Sequence, residues 1–393
     1  MASTDSLTAP TEQLVDTLVA LLDTPSAVPE GDTVAVCALI AAELRSEGYD
    51  PQIVGPEGGP ANVVARIGSG APEIVLCTHI DTIGPGTVEN WSVDPFAGTV
   101  KDGRVYGVGA ENCKGAAAVL LAIAQTIARE GGPRRGSVVF AFVGDEENLS
   151  DGGAGYLRSA GVVKPDLLVL SGPSGFELGC EERGVVWLRV DVRGEAFHAG
   201  SPARGDNALL RAARLVNALE AELQPRLATR RDALFESTMA ITTFRAGQDI
   251  NTVPDHARFE IDRRTLPGEE AGDAIAEVRA VLEEAGEPEG SWQIQTLVES
   301  NGFEPGRDGP GIDAHLRAVE ELLGYTPPFL VSEGASDGRH FARDGIEILN
   351  FGAGLGERCH APDEYMEIAD LERGYAVQLR ALEILCDGWS GTR

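Results

Sequence analysis

Four short clusters of acid, imidazole and glycine are placed where they could do chemistry. The first, Thr78-His79-Ile80-Asp81, follows the apolar run Glu73-Ile74-Val75-Leu76-Cys77. An imidazole at a strand end can bind a metal ion, and a carboxylate two residues on can orient it, an arrangement common at zinc sites. A purely structural His–Asp pair fits the same residues equally well. The second cluster, Tyr106 to Gly115, runs through Glu111-Asn112-Cys113-Lys114 into a helix. There Asn112 suits a helix N-cap and the glycines suit a tight turn. The third, Gly144-Asp145-Glu146-Glu147, sets three acids in a row after an apolar strand. Their mutual repulsion fits a solvated loop, or else a bound cation or a carboxyl of raised proton affinity. The fourth is the glycine turn Phe351-Gly352-Ala353-Gly354, followed by Cys359-His360-Ala361-Pro362-Asp363-Glu364 near a helix start.

The elements that must position these clusters read as an α/β chain. Thr11 to Leu22 spaces Leu14, Leu18, Leu21 and Leu22 on one helical face, and Val34 to Glu47 repeats the pattern with Val36, Leu39, Ile40 and Leu44. Short apolar runs at 61–67, 73–77, 137–143 and 167–170, with a helix over 114–128, indicate strands buried on both faces of a helix-covered sheet. Sites on such sheets lie at strand ends. From Arg183 the texture changes. An alternating strand through Val192, a helix over 207–223, strands at 238–244 and 257–262, a helix over 272–285 and a strand at 292–298 form a β-α-β-β-α-β module. Alternation then resumes with a helix over 312–323, a strand at 346–351 and a helix over 368–385. The module over 184–299 is therefore expected to interrupt a discontinuous α/β domain made of residues 1–183 and 300–393.

Composition excludes several functions. With 62 acidic against 32 basic side chains the net charge is −30, and no Lys/Arg run exceeds a pair such as Arg134-Arg135 or Arg230-Arg231. Such a surface repels nucleic-acid phosphates and anionic lipid. No apolar stretch is long enough to span a bilayer, and the start, Met1 to Glu12, is polar and acidic rather than basic then apolar. The expected location is the cytoplasm. The six cysteines (Cys37, Cys77, Cys113, Cys180, Cys359, Cys386) form no C-x-x-C pair, which reads as buried free thiols rather than a disulfide framework or thiolate zinc site.

Taken in order, the clusters resemble the zinc-dependent aminoacylase and carboxypeptidase family that includes acetylornithine deacetylase, succinyl-diaminopimelate desuccinylase and glutamate carboxypeptidase. The likeness extends over nearly the whole chain, through Trp91-Ser92-Val93-Asp94-Pro95-Phe96, Lys114-Gly115, Arg183-Gly184, His198 to Ala208, Asn251-Thr252-Val253-Pro254-Asp255, Asp262 to Glu269 and His360 to Glu364. It implies a metal-carrying α/β domain interrupted by a smaller lid domain that dimerises, and a small-molecule substrate. It also implies that His79, Glu147 and His360 are metal ligands, that Asp81 orients His79, and that Glu146 is the general acid/base. His198 is implied to stabilise an oxyanion. Asn251 and Arg264, with Arg263 as a register alternative, are implied to bind substrate together with Gly352 and Gly354.

Two positions depart from that pattern. Asn112 stands where the resemblance implies a bridging aspartate, and Gly172, in Ser171-Gly172-Pro173-Ser174, stands where it implies a ligand glutamate. A neutral amide oxygen is a poor bridge between dications, so one weakened zinc ion at most is expected, or none. The nearest replacements are Glu111, one residue out of register, and Glu177. Three readings follow. One is hydrolysis of an amide bond, N-acyl amino acid or dipeptide-like, with Glu146 moving the proton. Another is metal-independent cyclisation, elimination, isomerisation or acyl transfer by Glu146 and Glu147. The third is a non-catalytic ligand-binding descendant.

Overall fold

In the computed structural model the described residues are 9–28, 32–232, 235–304, 306–332 and 334–391, so most of the polar start lies outside them. Contacts divide the chain into two compact units: Met1–Cys180, Pro305–Leu330 and Ser336–Arg393 form one, and Glu181–Glu304 with Val331–Ala335 form the other.

The first unit is built on a mixed sheet whose centre is parallel. In spatial order its strands are Gln52–Val54, Asn62–Gly68, Ser137–Val143, Glu73–His79, Leu167–Leu170, Glu347–Asn350, Leu178–Glu182 and Phe329–Ser332; the chain crosses between the units along the last two. The Glu73–His79 strand pairs in parallel with Ser137–Val143 on one side and Leu167–Leu170 on the other, and Glu347–Asn350 continues the parallel set. Every residue of Ser137–Val143 is buried, as expected where helices cover both faces and no polar alternation is required. The helix Gly115–Arg129 is correspondingly apolar almost all round, and packs against Thr11–Leu22 and Ile368–Leu385. A separate three-stranded ribbon of Thr99–Lys101, Arg104–Tyr106 and Tyr365–Glu367 joins the second cluster to the fourth.

The second unit is an antiparallel sheet in the order Thr238–Ala246, His256–Thr265, Gly184–Arg193, Trp292–Ser300, with the helices Ala208–Ala218 and Ala271–Glu284 on one face. Asn207 caps the first of these helices, its side chain accepting from Leu210 N–H at 3.2 Å. The fold is thus an α/β domain interrupted by an α+β unit. Among the described residues no helix is long and apolar enough to cross a membrane.

The core of the first unit predicts one measurable cost. Phe140 is fully buried mid-strand, edge-on to Tyr49 with ring centroids 6.1 Å apart. Phe140→Ala is expected to lose about 3–5 kcal/mol, from lost burial plus the cavity left behind. A urea titration followed by circular dichroism reads this as an earlier transition; an unchanged midpoint would show that the core tolerates the void.

Candidate active site

The parallel centre of the sheet delivers the four clusters to one place. His79 is the last residue of its strand, Glu146 and Glu147 follow the strand ending at Val143, Gly172 follows the one ending at Leu170, and the loop to His360 follows the one ending at Asn350. His79 Nδ1 lies 3.0 Å from the Asp81 carbonyl and 3.5 Å from its carboxylate. The other Asp81 carboxylate oxygen accepts from Glu147 N–H at 3.0 Å, so this fully buried acid fixes two strand ends at once.

Asn112 occupies the centre. Its Oδ1 is 3.2 Å from His79 Nε2 and 3.0 Å from Cys113 Sγ. Its Nδ2 donates to Glu147 Oε1 at 2.8 Å and lies 3.1 Å from His360 Nε2. His360 Nε2 in turn is 3.0 Å from Glu147 Oε1. The N-cap reading of Asn112 is not realised. Its backbone is non-helical (φ −121, ψ 90), the helix begins after Lys114, and no side chain caps that end. The Glu364 carboxylate takes the local N–H groups instead, accepting from Gly109, Glu111 and Asn112 at 2.9–3.0 Å. Lys114 is buried and donates to the carbonyls of Leu21 and Thr24 at 3.0 and 2.9 Å, and burial lowers its pKa to about 8.

The proton affinities follow from this crowding. Burial pushes the Glu146 carboxyl up to about 8; His79 opposes this, while Asp337, Glu147 and Asp81 add to it. For His79 burial disfavours the charged ring, but neighbouring Cys113 and Glu146 outweigh burial and raise its pKa. His360 is raised chiefly by its hydrogen bond to Glu147.

His79, Asp81, Asn112, Glu146, Glu147 and His360 converge. Gly352 and Gly354 lie close to the same loops: a Cβ on the first would stand 2.4 Å from the Gly172 carbonyl and one on the second, at φ +89, 2.8 Å from Glu111 Cγ. His198, Asn251 and Arg264 belong to the second unit. There His198 is exposed on a two-residue strand, its Nδ1 accepting from Gly200 N–H at 3.0 Å, and the Asn251 carbonyl accepts from Ala199 N–H at 2.8 Å. Arg264 forks onto Asp262 at 2.6 and 2.8 Å. The register alternative Arg263 is fully buried and donates to Ser237 Oγ at 2.9 Å, so it serves packing.

Sequence reasoning passed over Cys113 and Asp337. The first stood in a stretch explained by capping and turns. The second lies in Ser336-Asp337-Gly338-Arg339-His340, where an acid, a glycine and two basic side chains after an N-capping serine were the available signal.

Two zinc ions do not fit these residues. The bridging position presents an amide whose NH2 faces Glu147 and His360, and Gly172 offers no donor. Glu111 is turned away, its carboxylate accepting from Leu355, Gly356 and Arg358 N–H at 2.7–3.2 Å. The Glu177 charge acts on the Tyr325 phenol, which burial and this carboxylate raise. What remains is His79, Glu146 and Glu147, with donor atoms all within 4.8 Å of one another, and His360 beside Glu147. That set can hold one ion and lacks the bridge for a second. Elemental analysis of protein purified without chelator is expected to give well under two equivalents of zinc per chain. A reproducible ratio of two would sink this reading of Asn112 and Gly172.

Residues 75–384 match the model of peptidase family M20/M25/M40. The succinyl-diaminopimelate desuccinylase of Rhodospirillum centenum is 31% identical over 336 residues, 82% of this chain and 83% of that protein. In fold the chain is similar to an M20 family metallo-carboxypeptidase of Sulfolobus solfataricus, with a TM-score of 0.80 at 15% identity, covering 95% of this chain and 99% of the other. It is also similar to the Bacillus subtilis YXEP protein, a dinuclear metal binding peptidase of the M20 family, with a TM-score of 0.67 at 20% identity, covering 96% and 98%. A family match over this span, joined to strand-end clusters in the same order, places the chain in peptidase family M20/M25/M40.

Proposed function

We propose that this chain is an amidohydrolase that cleaves the acyl–nitrogen bond of a small, carboxylate-bearing N-acyl amino acid or dipeptide-like substrate, with Glu146 moving the proton. The observation that carries the reading is the Glu146 carboxyl just past its strand end, with Oε2 3.8 Å from His79 Nε2 and burial pushing its pKa up to about 8. A group poised close to the working pH can accept a proton from a nucleophile and return it to a departing amine, which a carboxylate of ordinary affinity does poorly. The desuccinylase relatives support acylated amino acids as the substrate class. One metal ion at most is part of the proposal, held by His79, Glu147 and His360; if bound, it would polarise the scissile carbonyl. His198, Asn251 and Arg264 keep the oxyanion- and carboxylate-binding roles that the family likeness implies. The planar guanidinium of Arg264 suits a carboxylate because it offers two parallel donors. A cytoplasmic location and a homodimer formed through the second unit complete the proposal.

The test is a panel of N-succinyl and N-acetyl amino acids and dipeptides assayed by amine release. Glu146→Gln keeps shape and hydrogen bonding but cannot shuttle a proton, so kcat on any cleaved member is expected to fall by roughly 10²–10⁴-fold with KM little changed. Undiminished turnover by the variant would refute the role of Glu146.

A further inference from the structure

The amino ends of the central strands, opposite the candidate active site, border a cavity of about 310 Å³ within the first unit. Parallel pairing sets Ile74 beside Leu167 and Leu167 beside Glu347, so one row of side chains crosses three strands and faces one side of the sheet. Ile74 and Leu167 are buried and make an apolar floor, extended by Ile384 and Leu385 from the end of the Ile368–Leu385 helix. The helix Pro310–Leu323 supplies a wall through Pro310, Asp313, Ala314 and Arg317, whose i, i+3, i+4, i+7 spacing puts them on one face. That wall is fixed in place. Glu347 accepts from Gly311 and Ile312 N–H at 3.0 and 2.7 Å, and a Cβ on Gly311 would stand 2.7 Å from Leu167 Cδ1. The cavity is therefore preformed, and its volume falls at the lower end of the roughly 300–1,000 Å³ usual for small-molecule sites.

The charged groups around it differ in what they already bind. Glu347 is committed to main-chain donors, and so is Asp166, which accepts from Glu73 N–H at 2.8 Å. The two guanidiniums are not. Arg135 approaches Asp387 only to 3.6 Å, and Arg317 approaches Glu321 only to 3.9 Å, where that carboxylate already accepts from Arg380 at 2.8 Å. Both arginine side chains are more than half exposed, so these long pairs hold them weakly. Among the described residues no hydrogen bond or ion pair engages the Asp313 carboxylate. Asp313 and Arg317 stand four residues apart on one helix face, close enough for one small molecule to touch both. A ligand that is only an anion would meet Asp313 and Glu347, and one that is only a cation would meet both arginines, whereas a zwitterion gives each sign its opposite. We propose that this cavity binds a free amino acid with an apolar side chain. Arg317 and Arg135 hold its carboxylate, Asp313 holds its ammonium group, and its side chain lies on Ile74, Leu167 and Leu385. Binding here does not depend on amide cleavage at the other end of the strands.

The experiment is isothermal titration calorimetry of the full-length protein with L-leucine and L-phenylalanine, and with three analogues that each lack one feature. Glycine lacks the apolar side chain, 4-methylpentanoate the ammonium group and 3-methylbutylamine the carboxylate. Both amino acids are expected to bind, and each analogue to bind at least about tenfold more weakly. Arg317→Ala and Asp313→Asn lie at exposed helix positions and are expected to fold, which circular dichroism checks. Each should weaken L-leucine binding by about tenfold or more, the loss that follows when one partner of a charge-assisted hydrogen bond is removed. Arg264→Ala, which removes the guanidinium proposed to hold the carboxylate of the amide substrate, should leave that binding unchanged. No heat of binding with either amino acid would overturn the proposal. So would an analogue that binds as tightly as L-leucine, full affinity in Arg317→Ala or Asp313→Asn, or loss of binding in Arg264→Ala. A panel of N-acyl substrates that goes uncleaved would end the hydrolase reading and leave these titrations unaffected.

Discussion

A primary amide has one end that accepts hydrogen bonds and one that donates them, whereas a carboxylate only accepts, and the arrangement of this site depends on that difference at position 112. The oxygen of Asn112 faces His79 and Cys113, and its nitrogen faces Glu147 and His360. A carboxylate in the same place would bring like charges together with Glu146 and Glu147, a crowding that divalent ions relieve in a dinuclear site. Here hydrogen bonds do the joining. The strand ends of the first unit are thereby linked through a neutral group.

The loops around Asn112 are fixed by two buried glutamates working in opposite directions. Glu364, from the loop after His360, accepts N–H groups of the Asn112 turn, and Glu111, from that turn, accepts N–H groups of the loop before His360. Each carboxylate satisfies main-chain donors that burial would otherwise leave unpaired, so neither loop can move without exposing the other's charge. Lys114 adds a third tie, capping carbonyls at the end of the Thr11–Leu22 helix. Asn112 and His360 thus sit in loops tied down by buried carboxylates that face main-chain donors.

Much of this was legible in the sequence, because the informative signals were local. Apolar runs such as Ser137–Val143 suit buried strands, the leucine spacing in Thr11–Leu22 suits an amphipathic helix, and sites on parallel sheets form at strand ends, so the four clusters could be grouped from the sequence, while the family resemblance singled out His79, Glu146 and His360 within them. What stayed hidden was the direction of side chains in irregular backbone. Asn112 read as an N-cap because the residues before a helix usually cap it, whereas its φ/ψ turn the amide inward. Glu111 looked available as a ligand until the backbone showed it serving the neighbouring loop. Cys113 carried no motif of its own, and its place beside Gly172, distant in sequence, is visible only in the fold.

The close contact between Gly352 and the Gly172 carbonyl restricts what can change at this strand end. Because these two backbones touch, the strand end at Gly172 cannot slide to offer a different residue to the site, and only a change of side chain at that position can alter it. Restoring an acid at 112 or at 172 would place a further anion beside Glu146 and Glu147, which needs a cation to balance it. A change in the donor atoms at this strand end is therefore confined to the side chain carried at position 172 itself.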